Sequence, residues 1–264
     1  MVEKKFQTSV LTSGSKGNSI LIRTEKTNIL LDAGLSGKKI IFALQSVGID
    51  EHKIDAIVIS HEHNDHISAA GILCRKLNIP LYITTLTYSV CRHKLKNIPA
   101  GVCHFSNGKN FKIGDIEIRA FQSSHDVVDG SNFTFKKENC EKKLAVATDV
   151  GFPSNLMVTQ MKNATTVIME SNHDVKMLLN GQYPPQLKQR IKGKQGHLSN
   201  EQAVEIIAKI IHPKMRNLVL AHLSEENNCP QKAEKLMQNY LRSINHNLEL
   251  IVATQHKATK LLQI

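Results

Sequence analysis

Three histidines and an aspartate within six consecutive residues constrain this chain more than any other feature of its sequence. The stretch His61-Glu-His-Asn-Asp-His66 follows an apolar, β-branched run, Ala56–Ile59, which predicts a buried strand. Unpaired imidazoles and carboxylates are costly to bury, but together they are ligands for zinc, manganese or iron. This ligand mixture is harder than a thiolate site and suits a metal used for hydrolysis. A histidine-rich surface loop is the alternative, in a chain with 13 histidines.

The ligand-rich stretch is expected to lie between the end of a strand and the start of a helix. Asn64 or Asp65 is the predicted N-cap of that helix. The apolar side of the helix follows as Ile67, Ala70, Leu73 and Leu77. Because α/β proteins place active sites beyond the carboxyl ends of their strands, this position predicts a functional site.

The length and composition are those of one large α/β domain. The chain has 264 residues, of which 41% are hydrophobic, which is enough to bury a sizeable core. We therefore treat residues 1–264 as a single domain. Its two halves are each strand-rich and contain helices, a pattern typical of an αββα sandwich, in which helices flank two mixed β-sheets.

The pattern of apolar residues and turn residues predicts the individual elements. Strands are expected at 6–11, 20–23, 28–32, 56–59, 79–84, 132–136, 144–148, 166–170, 217–222 and 248–253, with a hairpin over 111–121. Helices are expected at 36–48, 85–95, 155–162, 199–211 (capped by Ser199) and 230–243. Segment 12–18 predicts a hairpin turn, and 171–200 shows little periodicity.

The charge and the cysteines bear on partners and compartment. A net charge of +11 favours a polyanionic partner, and we expect nucleic acid; a generally lysine-rich proteome is the alternative explanation. The five cysteines are scattered without a Cys-x-x-Cys pair, which predicts reduced thiols in a cytoplasmic protein. No apolar signal core or run of about 18 apolar residues is present, so we expect no membrane partner.

Three further candidate ligands follow predicted strands. His125 comes after the hairpin, Asp149 ends the strand at 144–148, and His222 ends the strand at 217–222. A polar residue satisfied at a strand end is the alternative for each of them. Three such residues at successive strand ends favour a shared metal site over three unrelated polar residues.

Together these motifs resemble those of the metallo-β-lactamase superfamily. The resemblance implies two metal ions, the first held by His61, His63 and His125, the second by Asp65, His66 and His222, with Asp149 bridging them. Two cations about 3.5–4 Å apart would clamp a hydroxide and a phosphoryl oxygen together. Zinc and manganese both suit these ligands, and iron is also compatible.

Shorter segments resemble the YycJ/WalJ family of compact bacterial nucleases within that superfamily, over almost the whole chain. They are Thr12–Ser19, Leu31–Gly37, Met169–Asp174, Gly196–Glu201 and His222–Asn228. The superfamily resemblance also implies that Asp32, at a strand end, supports the ligand loop from outside the metal sphere; a turn-forming aspartate is the alternative. No role follows for the segment 254–259.

Two of these segments also resemble, more distantly, transfer-RNA 3′-processing endonucleases. That resemblance implies that Glu170 and His197 cooperate in protonating the leaving oxygen, which a phosphodiester needs because it leaves as an alkoxide. The alternative for His197 is a residue that only leads into the following helix. Between the pair lie the candidate phosphate contacts Lys188, Arg190, Lys192 and Lys194, for which a solvated charged loop is the alternative.

The sequence therefore predicts a dinuclear metal-dependent phosphodiesterase in which a metal-bound hydroxide attacks nucleic acid. The catalytic residues are Asp65, His197 and Glu170. DNA as substrate and 5′-to-3′ exonuclease polarity follow from the family resemblance alone. The alternatives are an RNA-processing nuclease, a hydrolase of a small thioester, lactam or cyclic phosphodiester, and a nucleic-acid-binding protein with a residual site.

Overall fold

Two seven-stranded sheets, packed against one another, form the centre of the fold in the computed structural model, which describes residues 5–264. The first sheet has the strand order β14-β1-β2-β3-β4-β5-β6, and the second has the order β13-β12-β11-β10-β9-β8-β7. Each sheet is mixed, because an antiparallel part continues into a parallel part at β3–β4 and at β10–β11. The predicted αββα sandwich with two mixed sheets is confirmed.

The elements are bounded as follows. The first sheet contains β1 (Phe6–Thr12), β2 (Ser19–Thr24), β3 (Asn28–Leu31), β4 (Ala56–Val58), β5 (Leu81–Thr84), β6 (Val102–Phe105) and β14 (Leu262–Gln263). The second contains β7 (Asn110–Ile113), β8 (Ile116–Gln122), β9 (Ser131–Lys137), β10 (Lys143–Ala147), β11 (Thr166–Glu170), β12 (Asn217–Ala221) and β13 (Glu249–Val252). The α-helices are α1 (Gly37–Ser46), α2 (Asn64–Ile67), α3 (Ala70–Leu77), α4 (Thr85–Leu95), α5 (Asn155–Met161), α6 (Val175–Asn180), α7 (Pro185–Lys192), α8 (Asn200–Ile210) and α9 (Pro230–Ser243).

Alternation along the strands divides the core into three apolar layers. In β2, Ile20 and Ile22 join the layer between the sheets, which also receives Phe133 and Phe135 from β9. Leu21 points the other way, into a layer shared with α1 and α3. A third layer lies between the second sheet and helices α5, α8 and α9. Because successive side chains of a strand point to opposite faces, both faces of each sheet are apolar and covered.

The structure corrects several local predictions. The helix after the ligand-rich stretch is two helices, and His63 rather than Asn64 or Asp65 is the N-cap of α2, without a side-chain cap. Strands β6 and β14 were not predicted. Segment 171–200, which showed little periodicity, contains α6 and α7; both are short, and α7 has no buried residue to reveal an apolar face.

Other predictions agree with the structure. Segment 12–18 is the turn between antiparallel β1 and β2, and Ser199 caps α8 in a reciprocal capping box with Gln202. All five cysteines are free. Within residues 5–264, no helix has the length and apolar character needed to cross a membrane.

Candidate metal centre

Seven side chains from four strand ends meet at one edge of the sandwich. We call them the candidate metal centre: His61, His63, Asp65, His66, His125, Asp149 and His222. The first four follow β4, with the last two of these on the one-turn helix α2. The other three follow β8, β10 and β12. Both sheets therefore contribute to the site, and all seven predicted ligands are brought together.

The seven side chains form overlapping groups with the spacing of metal ligands. Within each group, one ligand atom of every member lies within 4.8 Å of the others; the groups include His61-His63-His125, Asp65-His66-His222 and His61-His66-Asp149. The first two have the membership that the resemblance implied for the two metals. The third group contains His61 from the first group and His66 from the second, together with the Asp149 carboxylate.

Asp149 lies between the two triads. Its Oδ2 is 3.2 Å from His66 Nε2 and 3.4 Å from His222 Nδ1. Its Oδ1 is 3.8 Å from His125 Nε2. Each carboxylate oxygen thus faces a different triad, which is the arrangement that a bridging ligand requires.

The polar atoms of this centre fit a cation better than they fit one another. His61 Nε2, Asp149 Oδ2 and His222 Nδ1 are all buried without a hydrogen-bond partner. A buried polar atom without a partner costs roughly 1–3 kcal/mol, and three such atoms in one cluster are unusual. Imidazole and carboxylate lone pairs that converge in this way are donors suited to divalent zinc, manganese or iron.

The backbone is strained at two residues of the centre and at one residue that supports it. Asp32, Asp149 and His222 have φ values of 62°, 55° and 53°, in the left-handed region that residues other than glycine rarely adopt. Such backbone costs roughly 1–2 kcal/mol per residue and clusters at functional sites. At each of these positions a strand ends and the chain turns sharply toward the centre.

Asp32 holds the ligand loop from outside the centre. Its carboxylate accepts hydrogen bonds from the Ser60 N–H at 2.8 Å, from the Ser60 hydroxyl at 2.8 Å and from His66 Nδ1 at 2.8 Å. Since the Ser60 hydroxyl donates to Asp32, it accepts from His61 Nδ1 at 2.9 Å. One carboxylate therefore fixes two imidazole rings with their Nε2 atoms left for other partners. This supporting position agrees with the one that the resemblance implied.

Asp32→Asn is expected to weaken metal affinity by roughly 10- to 100-fold, the usual cost of losing a partner that orients a ligand. The amide has one acceptor oxygen and cannot satisfy all three donors. Competition against a chromophoric chelator measures the affinity. Asp115→Asn is the matched control, because that carboxylate also accepts two hydroxyl hydrogen bonds, from Thr24 and Thr27. Equal affinities in both variants would contradict a supporting role for Asp32.

Sequence reasoning assigned no role to Asn18, which reaches the centre from the β1–β2 turn. Its side-chain amide lies 3.2 Å from Asp65 Oδ2 and 3.1 Å from His66 Nε2. Gly34 permits this approach, because a Cβ there would lie 1.6 Å from the Asp65 carbonyl oxygen. Asn18 belongs to the turn segment Thr12–Ser19, which is one of the segments that resemble the YycJ/WalJ family. Only the fold shows that this turn lies against α2.

Charge distribution at the centre favours a bound cation. Burial, followed by repulsion from His66, holds the pKa of His61 well below its usual range, so its imidazole is neutral and free to bind a metal. Burial opposes ionisation of Asp149, but His222 and His66 outweigh it and hold the pKa of that carboxyl well below its usual range. Burial also opposes a charged His66, yet Asp149 and Asp32 raise its pKa well above normal. Carboxylates thus attract positive charge to this point.

Glu170, which is fully buried, and His197, which is partly buried, form a hydrogen-bonded pair beside the centre. His197 Nδ1 donates to Glu170 Oε1 at 2.8 Å, and the His197 ring centroid lies 4.9 Å from that of His125 and 5.3 Å from that of His222. Burial disfavours a charged His197, but the Glu170 carboxylate outweighs it and raises the pKa of His197 to about 9. The imidazole therefore carries a proton at neutral pH.

Glu170 is held as a partner for N–H groups rather than as a metal ligand. Its side chain is fully buried, and its Oε2 accepts from the Val150 N–H at 2.8 Å and the Leu198 N–H at 3.2 Å. Although Glu170 and His197 also lie within ligand distance of Asp149 and His222, both Glu170 oxygens are already occupied. The nearby His173 and Asp174 have structural positions, since Asp174 caps α6 and His173 bridges to Ser199.

Glu170→Gln is expected to lower the cleavage rate by roughly 10²–10⁴-fold, because the neutral amide does not keep the His197 imidazole protonated. The loss should not add to that of His197→Ala, because the two residues act as a unit. Single-turnover rates of the two single variants and the double variant measure this coupling. Multiplicative losses in the double variant would show that the two side chains act separately.

The four candidate phosphate contacts lie on or just after α7. Arg190 Nε donates to Asp126 Oδ2 at 2.6 Å, and Lys188 Nζ donates to the Leu179 carbonyl at 2.8 Å. Lys194 lies over the ring of Phe152, and Lys192 is the last residue of the helix. Arg190 therefore already has a partner, next to His125 in the chain, so the helical segment is tied to the rim of the centre.

Comparison with known proteins identifies the family of this chain. The model of the metallo-β-lactamase superfamily matches residues 13–121. The exodeoxyribonuclease WalJ of Streptococcus pneumoniae (strain D39) is 39% identical over 244 residues, which cover 91% of this chain and 90% of that protein. The exodeoxyribonuclease YycJ of Bacillus anthracis is 38% identical and covers 88% of both chains.

Solved structures agree on the fold. The metallo-β-lactamase-fold protein YhfI of Bacillus subtilis superposes with a TM-score of 0.72 at 18% identity, covering 97% of this chain and 99% of its own. At that identity the match concerns the fold alone. The identity to WalJ and YycJ along nearly the full length goes further: the chain belongs to the WalJ/YycJ family of the metallo-β-lactamase superfamily of metal-dependent hydrolases.

Proposed function

We propose that this protein is a dinuclear metal-dependent exonuclease that hydrolyses DNA from the 5′ end. The observation that carries the proposal is the pair of ligand triads joined by Asp149, with the His197–Glu170 pair beside them. His61, His63 and His125 would hold one divalent cation, and Asp65, His66 and His222 the other. Zinc and manganese suit these donors, and iron is also compatible.

Divalent cations, when bound, supply an activated water at neutral pH and neutralise charge on the phosphoryl group. The side chains of this chain orient the metal ligands and transfer the proton. Asp32 and Ser60 keep the His61 and His66 rings in place, and His197 gives its proton to the oxygen that leaves. Glu170 holds that imidazole protonated and oriented, since its own position is fixed by two backbone N–H groups.

DNA as the substrate is supported by the relatives, since WalJ and YycJ are both named exodeoxyribonucleases. The net charge of +11 is consistent with a polyanion. The 5′-to-3′ polarity comes from the resemblance to the YycJ/WalJ family. The five free cysteines support the cytoplasm as the compartment in this proposal.

A cleavage assay tests the substrate and the polarity together. Duplex DNA labelled at the 5′ or the 3′ end, and RNA of the same sequence, are incubated with the manganese- or zinc-loaded protein, with Asp65→Ala as the blank. Early release of mononucleotide from the 5′ label, absent in the blank, is the expected result. Early release from the 3′ label would reverse the polarity, and preferential cleavage of RNA would reassign the substrate.

A metal-loaded protein that cleaves no polymer would contradict the nuclease function and favour a small-molecule hydrolase with the same centre. Binding at two salt concentrations gives a second readout. Binding to DNA should weaken steeply with salt, since neutralised phosphates release counterions. If the protein did not bind DNA even at low salt, that result would argue against nucleic acid as the partner.

A further inference from the structure

An exposed phenylalanine follows Asp149 of the candidate metal centre in the chain. Phe152 is three residues after Asp149, and 46% of its surface is exposed. Phe42 on α1 is the other strongly exposed phenylalanine of the described residues, at 73%. Leaving an aromatic ring in water forfeits the stabilisation that burial would bring. Single exposed apolar residues are common on protein surfaces, so the inference depends on what fixes the Phe152 backbone and on what lies over its ring.

The backbone that carries Phe152 is fixed on the side of His125. The Phe152 N–H donates to the Ser124 hydroxyl at 3.0 Å, and that hydroxyl lies 2.9 Å from the Phe152 carbonyl oxygen. The preceding Gly151 N–H donates to the Ser124 carbonyl at 2.7 Å. Ser124 directly precedes His125 in the chain, so the ring is held relative to a candidate ligand.

The same backbone is packed against the segment that leads to His197. A Cβ at Gly151 would lie 2.4 Å from the Gly196 nitrogen and 2.5 Å from the Lys194 carbonyl oxygen. Glycine at this position is therefore needed for the close approach. The backbone that carries the Phe152 ring is therefore fixed by contacts with Ser124, which precedes His125, and with the segment before His197.

A cation lies over the Phe152 ring. Lys194 Nζ is 5.9 Å from the ring centroid, within the range of a cation–π interaction. Lys194 is three residues before His197. The combination of an aromatic ring with a positive charge is the pair of features by which proteins bind single-stranded nucleic acid, stacking for the base and charge for the backbone.

We propose that Phe152 and Lys194 form a stacking platform for the nucleobase of the nucleotide whose phosphodiester is cleaved, an inference that rests on the nuclease function proposed above. A nucleotide with its phosphate at the metal centre carries its base one sugar away, and in this proposal the Phe152 ring receives that base. Stacking tolerates any base, because every base presents a π-face. The platform would position the end of the chain without imposing a sequence preference.

The first test compares substrates that differ only by a base. One DNA duplex carries a normal nucleotide at the end from which the enzyme digests, and a second carries an abasic nucleotide there. The metal-loaded wild type should prefer the base-bearing end by roughly 5- to 100-fold in kcat/KM, the usual effect of one base–aromatic stack. Phe152→Ala should bring the ratio close to one, and Phe152→Trp should restore it. Phe42→Ala, the matched control, should keep the wild-type ratio.

The second test reads stacking without turnover. A terminal 2-aminopurine, joined by a phosphorothioate linkage that slows cleavage, is bound to the metal-loaded protein and its fluorescence is recorded. Quenching is expected with the wild type, Phe152→Trp and Phe42→Ala, and its loss is expected with Phe152→Ala. Metal content and thermal unfolding of each variant show that the centre is intact.

Two results would overturn the platform while leaving the nuclease function in place. One is a wild type that cleaves the base-bearing and the abasic duplex equally well. The other is a Phe152→Ala variant that loses the same factor on both substrates, which would make the ring a structural support. A wild type that neither binds nor cleaves DNA would instead contradict the proposed function, and the platform would fall with it.

Discussion

Asp149→Ala is expected to reduce cleavage by on the order of 10³-fold or more and to release metal from both triads. Loss of a partner outside the metal sphere already costs roughly 10- to 100-fold, and Asp149 faces both triads directly, through Oδ2 to His66 and His222 and through Oδ1 to His125. Elemental analysis of the dialysed protein, together with the cleavage assay, measures both effects.

Asp149→Asn separates charge from backbone geometry. Asp149 has a left-handed backbone, which asparagine adopts easily and alanine does not. The asparagine variant should therefore fold as well as the wild type but still lose metal, since it lacks the negative charge. A fully active Asp149→Asn protein would contradict a bridging carboxylate at this position.

Variants that change only one triad provide the comparison for the metal content of Asp149→Ala. Asp65→Ala and His61→Ala should each abolish hydrolysis while leaving the fold largely intact. Each removes a ligand from one triad only, so we expect about one metal ion to be retained, against none for Asp149→Ala. Full activity in either variant would contradict the proposed metal centre.

His197→Ala is expected to slow cleavage by roughly 10²–10⁴-fold, the usual contribution of a general acid, with little change in metal content. The imidazole lies next to the centre, its Nδ1 donates to Glu170, and its pKa is raised to about 9. It can therefore deliver a proton at neutral pH. Collapse of the metal content in this variant would place His197 among the ligands instead.

The leaving group distinguishes an acid from a residue that only positions the substrate. A nitrophenyl ester of a nucleotide releases a phenolate that needs no proton, so the deficit of His197→Ala should largely disappear with that substrate. His93→Ala, which removes an exposed imidazole from α4, is the matched control and should be unaffected on both substrates. An equal deficit of His197→Ala on DNA and on the ester would argue against proton donation.

Local sequence patterns were sufficient for much of this fold. Helices α4 and α9 and strand β11 have the predicted bounds. In α9 a strong apolar periodicity begins at Pro230, β11 is a continuous apolar run, and α4 begins directly after its N-cap Thr84. Strands β6 and β14 were missed because they are short, and β6 is only partly buried. Helix α7 was missed because it is short and strongly polar, with only Leu187 and Ile191 as large apolar residues.

The sequence by itself determined which chemistry the chain carries. Ligand types and their places at strand ends depend on local sequence, and they predicted the candidate ligands. The resemblance to transfer-RNA 3′-processing endonucleases implied the His197–Glu170 pair. What only the tertiary structure decided is how distant segments meet. Asn18 contacts α2, the Ser60 hydroxyl connects Asp32 to His61 by hydrogen bonds, and the Phe152 N–H donates to Ser124. These contacts join residues brought together by sheet pairing and loop packing, and no local propensity or period encodes such long-range proximity.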